Sequence, residues 1–180
     1  MSLRARYCAA RPFDRFLAEA EVNRDLWQAV SKRAVVSDFA VERVQALGGH
    51  WHLLVLADDW CGDAVNTLPV LARLADLADN LDLRVLPRDE NPDLMDSHLS
   101  PRGARAIPVV MILDESFRER GWWGARPAEL QRWVDETGST ISKTDRYREI
   151  RRWYARDKGA TAVDEIIRIA ERAAEARHVA

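Results

Sequence analysis

Cysteine is scarce in this 180-residue chain, which has only Cys8 and Cys61, too few for a disulfide framework and without the paired spacing of a zinc site. Long apolar runs are missing as well. The longest, Leu53 to Ala57 and Val109 to Leu113, have five residues each, far short of the roughly 20 needed to cross a bilayer, so no membrane partner is expected. Neither sign of charge dominates: 27 basic side chains against 29 acidic ones leave a formal charge of −2, which speaks against an electrostatically driven nucleic-acid binder. The N-terminal Met-Ser-Leu-Arg-Ala-Arg-Tyr-Cys carries basic residues with no apolar stretch behind them. A secretory signal is therefore not supported, and a cytoplasmic protein is expected. Internal repeats and low-complexity segments are absent too. The remaining composition, 47% hydrophobic and 31% charged, is that of an ordinary globular domain. At this size such a domain buries roughly 70% of its unfolded surface, enough to fold without metal or disulfide.

Hydrophobic periodicity orders the chain. Apolar residues at near-helical spacing from Phe13 to Val30, and again from Phe39 to Leu47, predict two N-terminal helices that end at Gly48-Gly49. Trp51 to Ala57 is a short continuous apolar run and reads as a buried strand. A helix from about Asp63 to Asp79 follows, kinked at Pro69. Alternation at Leu81, Leu83 and Val85 predicts a strand, Pro92 to Leu99 a short helix, and Pro108 to Leu113 a second buried strand. Phe117 to Trp123 reads as its antiparallel partner, and Pro127 to Thr137 as a helix. Two helices close the chain. Tyr147, Ile150, Trp153 and Tyr154 mark the buried face of the first, and Thr161 with Asp164 makes a capping-box signature for the second.

Trp60-Cys61-Gly62-Asp63 falls where a buried strand gives way to a helix. Unpaired N–H groups at a helix N-terminus favour a thiolate, so this is a position for a nucleophile, although an isolated cysteine there also reads as an inert small hydrophobe. The combination resembles the thioredoxin-like family. The residues that carry the resemblance are Trp60 to Asp63, Pro69 eight positions after the cysteine, Ile107-Pro108 before a buried strand, and Gly124 at the end of the last strand, all in matching element order. Arg88-Asp89-Glu90-Asn91-Pro92 and Trp153 to Gly159 resemble a poorly characterised bacterial branch with a single active-site cysteine. The resemblance implies an α/β thioredoxin-like fold, a mixed central sheet with helices on both faces. Residues 50–138 would form its core, and residues 1–49 and 139–180 helical extensions of one compact domain. It further implies a cis bond at Ile107-Pro108 beside the Cys61 sulfur. Ala106 and Ile107 would be the platform for an extended partner, and Trp60 and Trp123 walls of its groove; the residues by themselves read Trp122-Trp123 as core packing.

Two positions depart from the family. Ala64 stands where its second cysteine would be, so no internal disulfide can form, and Val55 replaces the buried acid that assists proton transfer there. Cys61 is thus the candidate catalytic residue of a monothiol thiol-disulfide exchange, with Trp60, Gly62, Asp63, Ala106, Ile107 and Pro108 as partner-binding residues. No cofactor is expected, and the partner would be a protein disulfide or a low-molecular-weight thiol. The rival function is a redox-silent module that holds a peptide in the same groove. The helix terminus lowers the Cys61 pKa while Asp58, Asp59 and Asp63 raise it, which sets an expected value between about 7 and 8.5. His50 and His52 would share one side of a strand, but no third ligand is spaced near them, so they read as packing and no metal is assigned. The basic run Arg146 to Lys158 reads as a solvated helix with a buried aromatic face rather than a nucleic-acid surface. Nothing in the sequence places Cys8 near Cys61.

Overall fold

A computed structural model describes residues 1–178. Its centre is a five-stranded sheet formed by β1 (Arg11–Pro12), β2 (Trp51–Leu56), β3 (Leu81–Leu86), β4 (Val109–Leu113) and β5 (Glu119–Gly124), in the order β1-β3-β2-β4-β5. β2 and β3 run parallel, while β4 is antiparallel to β2 and β5 to β4. β2 and β4 are buried at every position, because a central strand covered on both faces has no solvent side to alternate with. The helices are α1 (Leu3–Ala9), α2 (Phe13–Glu19), α3 (Arg24–Arg33), α4 (Asp38–Gln45), α5 (Gly62–Leu77), α6 (Pro92–Ser97), α7 (Ala128–Glu136), α8 (Lys143–Asp157) and α9 (Ala160–His178).

Strand register assigns these helices to faces. Residues paired across strands share a face, so Val55, Val110 and Trp123 point one way and Leu54, Met111 and Trp122 the other. α9 covers the first face: Trp123 Nε1 donates to Glu165 Oε2 at 2.6 Å, and α9 packs along β5 and against α5. The same Glu165 accepts the Ala128 N–H at 2.9 Å, so one carboxylate of α9 fixes both β5 and the start of α7. The opposite face is met by α1, whose Tyr7 packs on His52, and by the end of α6, where His98 lies edge-on to Trp122. One buried core runs from Tyr7, Phe16 and Trp27 through the sheet to Ile166 and Ile167 of α9, and a smaller cluster joins Leu130 of α7 to Ile150 and Tyr154 of α8. No helix of the described residues is long and apolar enough to cross a membrane.

Three local expectations are corrected. The N-terminal segment forms α1 to α4 with a short strand among them, rather than two helices. α2 stops at Glu19 and Asn23 adopts a left-handed conformation (φ 57°) before α3. Contacts from a distant loop hold this break: Asp59 Oδ2 accepts the N–H groups of Glu21 and Val22 at 2.7 and 2.8 Å, and the Asp59 carbonyl accepts Trp27 Nε1 at 2.9 Å. Those bonds outweigh the continuing helical period of the apolar residues. In α8, Tyr147 is 44% exposed, so the buried face is Ile150 and Tyr154 with Trp153 at its margin. At the start of α9 the cap is Asp157, which accepts the Thr161 N–H at 3.2 Å, while Asp164 turns away to pair with Arg43 at 2.7 Å. A carboxylate at the preceding turn reaches the orphan N–H groups that Thr161, already inside the helix, cannot.

Candidate functional site

Cys61 is the N-cap of α5, directly after the loop that leaves the C-terminal end of β2. The Asp58 carbonyl accepts its N–H at 3.1 Å, and its own carbonyl receives the Val65 N–H at 3.1 Å, the opening bond of the helix. Across from it, the Ile107–Pro108 peptide bond is cis. The Cys61 thiol donates to the Ile107 carbonyl oxygen, with Sγ at 3.3 Å, so the sulfur and the residue before the proline are in direct contact. Ala64, where a second thiol would stand, is fully buried one turn into α5, and Val55 is fully buried in β2.

The candidate partner-binding residues divide into two groups. Trp60 (47% exposed), Gly62 and Ala106 face solvent or its margin, with the Arg88 guanidinium 5.1 Å over the Trp60 ring. Ile107, Pro108 and Asp63 are buried, so the surface a partner can touch is narrower than the full set. Trp123 is also buried, its indole fastened to Glu165, and it reaches a surface cleft only at its edge. That cleft, of ≈ 610 Å³, is lined by Trp122, Trp123, Gly124, Arg126 and Gln131; Cys61 does not line it. Gly124 borders both regions, and a Cβ there would collide with the Pro108 carbonyl oxygen. That oxygen belongs to backbone that cannot rotate aside as a side chain would. Gly124→Ala should therefore destabilise the protein by about 1–3 kcal/mol, read by urea unfolding; a loss within error would mean that the Pro108 segment shifts freely.

Asp63 is not the solvent-facing acid that its sequence position suggests. It is 9% exposed, with Oδ2 2.6 Å from Arg126 Nη2 and Oδ1 accepting the Tyr154 hydroxyl at 3.0 Å. Arg126 comes from the loop after β5 and Tyr154 from α8. The C-terminal extension thereby closes over the residue two positions after the thiol. Burial raises the Asp63 pKa, while Arg126 and Tyr154 oppose the rise. Asp59 likewise spends its carboxylate on the N–H groups of Glu21 and Val22.

The Cys61 pKa departs from the expected range of about 7 to 8.5. It is pushed up to about 11, first by burial and then by the Asp63 charge. The N–H groups of Ala64 and Asp63 and the Arg126 cation do favour the thiolate, as a helix terminus should, but the loss of hydration outweighs them. At 6% exposure the sulfur gives up most of its water, and a dipole worth at most about 2 kcal/mol cannot replace it. Cys8, on α1, is an exposed free thiol. Arg126 has no signal in the sequence; Arg88 and Tyr154 lie in the two segments that carry the branch resemblance, and Tyr154 also on the buried face of α8, but nothing there assigns either to the surroundings of Cys61.

A thiol at a helix N-terminus against the carbonyl before a cis-proline, on a mixed sheet of this order, defines a thioredoxin-fold protein. A family model described as Thioredoxin matches residues 10–140, and the chain belongs to that family. The match takes in much of the N-terminal helical segment as well as the core. Among solved structures, a Pseudomonas aeruginosa protein of unknown function is similar over 96% of this chain and 99% of its own, with 20% identity and a TM-score of 0.77. An HIV epitope-scaffold protein is similar over 95% and 98%, with 20% identity and a TM-score of 0.75. At that identity the likeness concerns the fold. No curated protein matches.

Proposed function

We propose that the protein carries out monothiol thiol-disulfide exchange through Cys61 on a protein disulfide or a low-molecular-weight thiol adduct. The observation that carries this reading is the 3.3 Å approach of Cys61 Sγ to the carbonyl that precedes Pro108, at the N-terminus of α5. Cys61 loses its proton and attacks one sulfur of the partner disulfide; a bond forms between Cys61 and that sulfur, and the other sulfur leaves and takes up a proton. Ala64 cannot resolve this mixed disulfide. A second, external thiol attacks the partner's sulfur instead, forms a new disulfide with it and releases Cys61 in its reduced form. Docking of an extended partner over Trp60 and Ala106 brings the disulfide to a thiol that is otherwise turned inward. We assign the exchange to the cytoplasm, where such external thiols are abundant.

A second reading rests on the burial of Cys61 and its raised pKa, which suit a redox-silent module that holds a peptide in the same groove. One experiment separates the two. The Cys8→Ser protein, freed of its exposed thiol, is incubated with oxidised glutathione near pH 8 and followed by mass spectrometry. A single glutathione adduct on Cys61, reversed by added reduced glutathione and absent in the Cys61→Ser protein, is the expected result. If Cys61 acquires an adduct only after unfolding in urea, the exchange reading fails and the peptide-holding one stands.

A further inference from the structure

At the opposite end of β2 from Cys61, the parallel register of β2 and β3 places Asp82 beside His52, and His50 lies two residues before His52 on the same side. Local spacing offers no third ligand for the two histidines. The sheet supplies one from 30 residues downstream. His50 Nε2 lies 2.7 Å from Asp82 Oδ2, His52 Nδ1 lies 3.7 Å from the same oxygen, and the three ligand atoms are all within 4.8 Å of one another.

A second observation points to a ligand. His52 is 8% exposed, yet its buried Nδ1 has no hydrogen-bond partner. Buried imidazole nitrogens are ordinarily satisfied, so one aimed at a carboxylate just beyond reach calls for an explanation. Its orientation is fixed: the ring stacks on Phe117 with centroids 4.3 Å apart and planes 5° apart, and Tyr7 packs against it at 4.8 Å. His50 and Asp82 are open to solvent, so an ion has an entry path and a remaining coordination position can take water.

We infer that His50, His52 and Asp82 form a binding site for a divalent transition-metal ion of the zinc class. Two imidazoles and one carboxylate are a donor set suited to zinc rather than to calcium or magnesium, which prefer oxygen throughout. Tetrahedral coordination at about 2.0–2.1 Å separates ligand atoms by about 3.3 Å. That value lies between the 2.7 and 3.7 Å observed to the Asp82 oxygen and below the 4.8 Å span of the three ligand atoms, so seating an ion opens the His50–Asp82 contact and draws the two imidazoles together. Arg84, two residues beyond Asp82, opposes the cation, but its guanidinium is held 5.2 Å over the Tyr7 ring. The site would tie the N-terminal ends of β2 and β3 together next to α1.

The test titrates metal-free full-length Cys8→Ser protein with Co²⁺, then displaces it with Zn²⁺. One equivalent should bind, with visible bands of nitrogen and oxygen ligation and no thiolate-to-cobalt charge-transfer band. His50→Ala, at a half-buried position, and Asp82→Asn, at an exposed one, should each weaken binding by about tenfold or more. Folding of each variant is checked by circular dichroism. The inference is overturned by binding below one equivalent, by a thiolate band that assigns the ion to Cys61, or by unchanged affinity in the two variants.

Discussion

Arg126→Met should destabilise the protein by about 3–5 kcal/mol at pH 7, the cost of leaving a buried carboxylate without its counter-ion. Among the described residues Asp63 has two partners within reach, Arg126 at 2.6 Å and the Tyr154 hydroxyl at 3.0 Å. The hydroxyl alone cannot offset the charge. Asp63 then takes up a proton more readily, its folded-state pKa rising further above the unfolded value. A group with a raised folded pKa contributes stability at low pH and loses it as pH rises through that pKa. The deficit of the variant against the wild type should accordingly be largest at neutral pH and shrink near pH 5. Urea unfolding at both pH values measures it. Asp63→Asn in the Arg126→Met background removes the stranded charge, keeps an acceptor for Tyr154, and should recover most of the loss. A deficit under about 1 kcal/mol at pH 7, or no recovery in the double variant, would show that water reaches Asp63 and that the pair is a surface one.

This triad marks the boundary of what the sequence discloses. The strands Trp51–Leu56 and Val109–Leu113 and the helix after Cys61 are legible because each writes its burial locally, as a continuous apolar run or a helical period. Ile107-Pro108 and Gly124 were legible only through a family resemblance, since nothing local distinguishes a proline beside a sulfur from any other. Asp63 reads from its neighbours as an exposed acid that opposes a thiolate. Its burial is set by Arg126 and by Tyr154, 91 residues away, and no local pattern encodes that meeting. The same holds for Asp82 and the two histidines, joined by strand register, and for Asp59, whose hydrogen bonds to Glu21 and Val22 split a stretch that apolar spacing alone would leave as one helix. Side chains that act across the sheet thus become visible only when the sheet is assembled.

The largest kinetic consequence concerns Cys61 itself. With a pKa of about 11, only about one thiol in 10⁴ is ionised at pH 7, against a few per cent for a free cysteine. The greater basicity of such a thiolate recovers about a factor of ten. Alkylation of Cys61 by iodoacetamide in the Cys8→Ser protein should therefore be about ten- to thirtyfold slower at pH 7 than that of the same protein in urea. Its rate should climb about tenfold per pH unit, without a plateau until about pH 11. Stability follows the same proton. The folded-state pKa is raised from 9.0 to about 11, so this contribution is fully present below about pH 9 and is lost as pH rises toward 11, roughly 2–3 kcal/mol in all. Tyr154 and Tyr7 are also buried with raised pKa values and add their own alkaline loss. The comparison is therefore with Cys61→Ala, whose stability should fall less over that window. Asp63→Asn removes a charge that raises the thiol's pKa and leaves the Arg126 cation unpaired beside it, so the alkylation profile should move to lower pH. A wild-type inflection below about pH 8 would mean that the helix terminus outweighs burial and that Cys61 rests as an open, ready nucleophile.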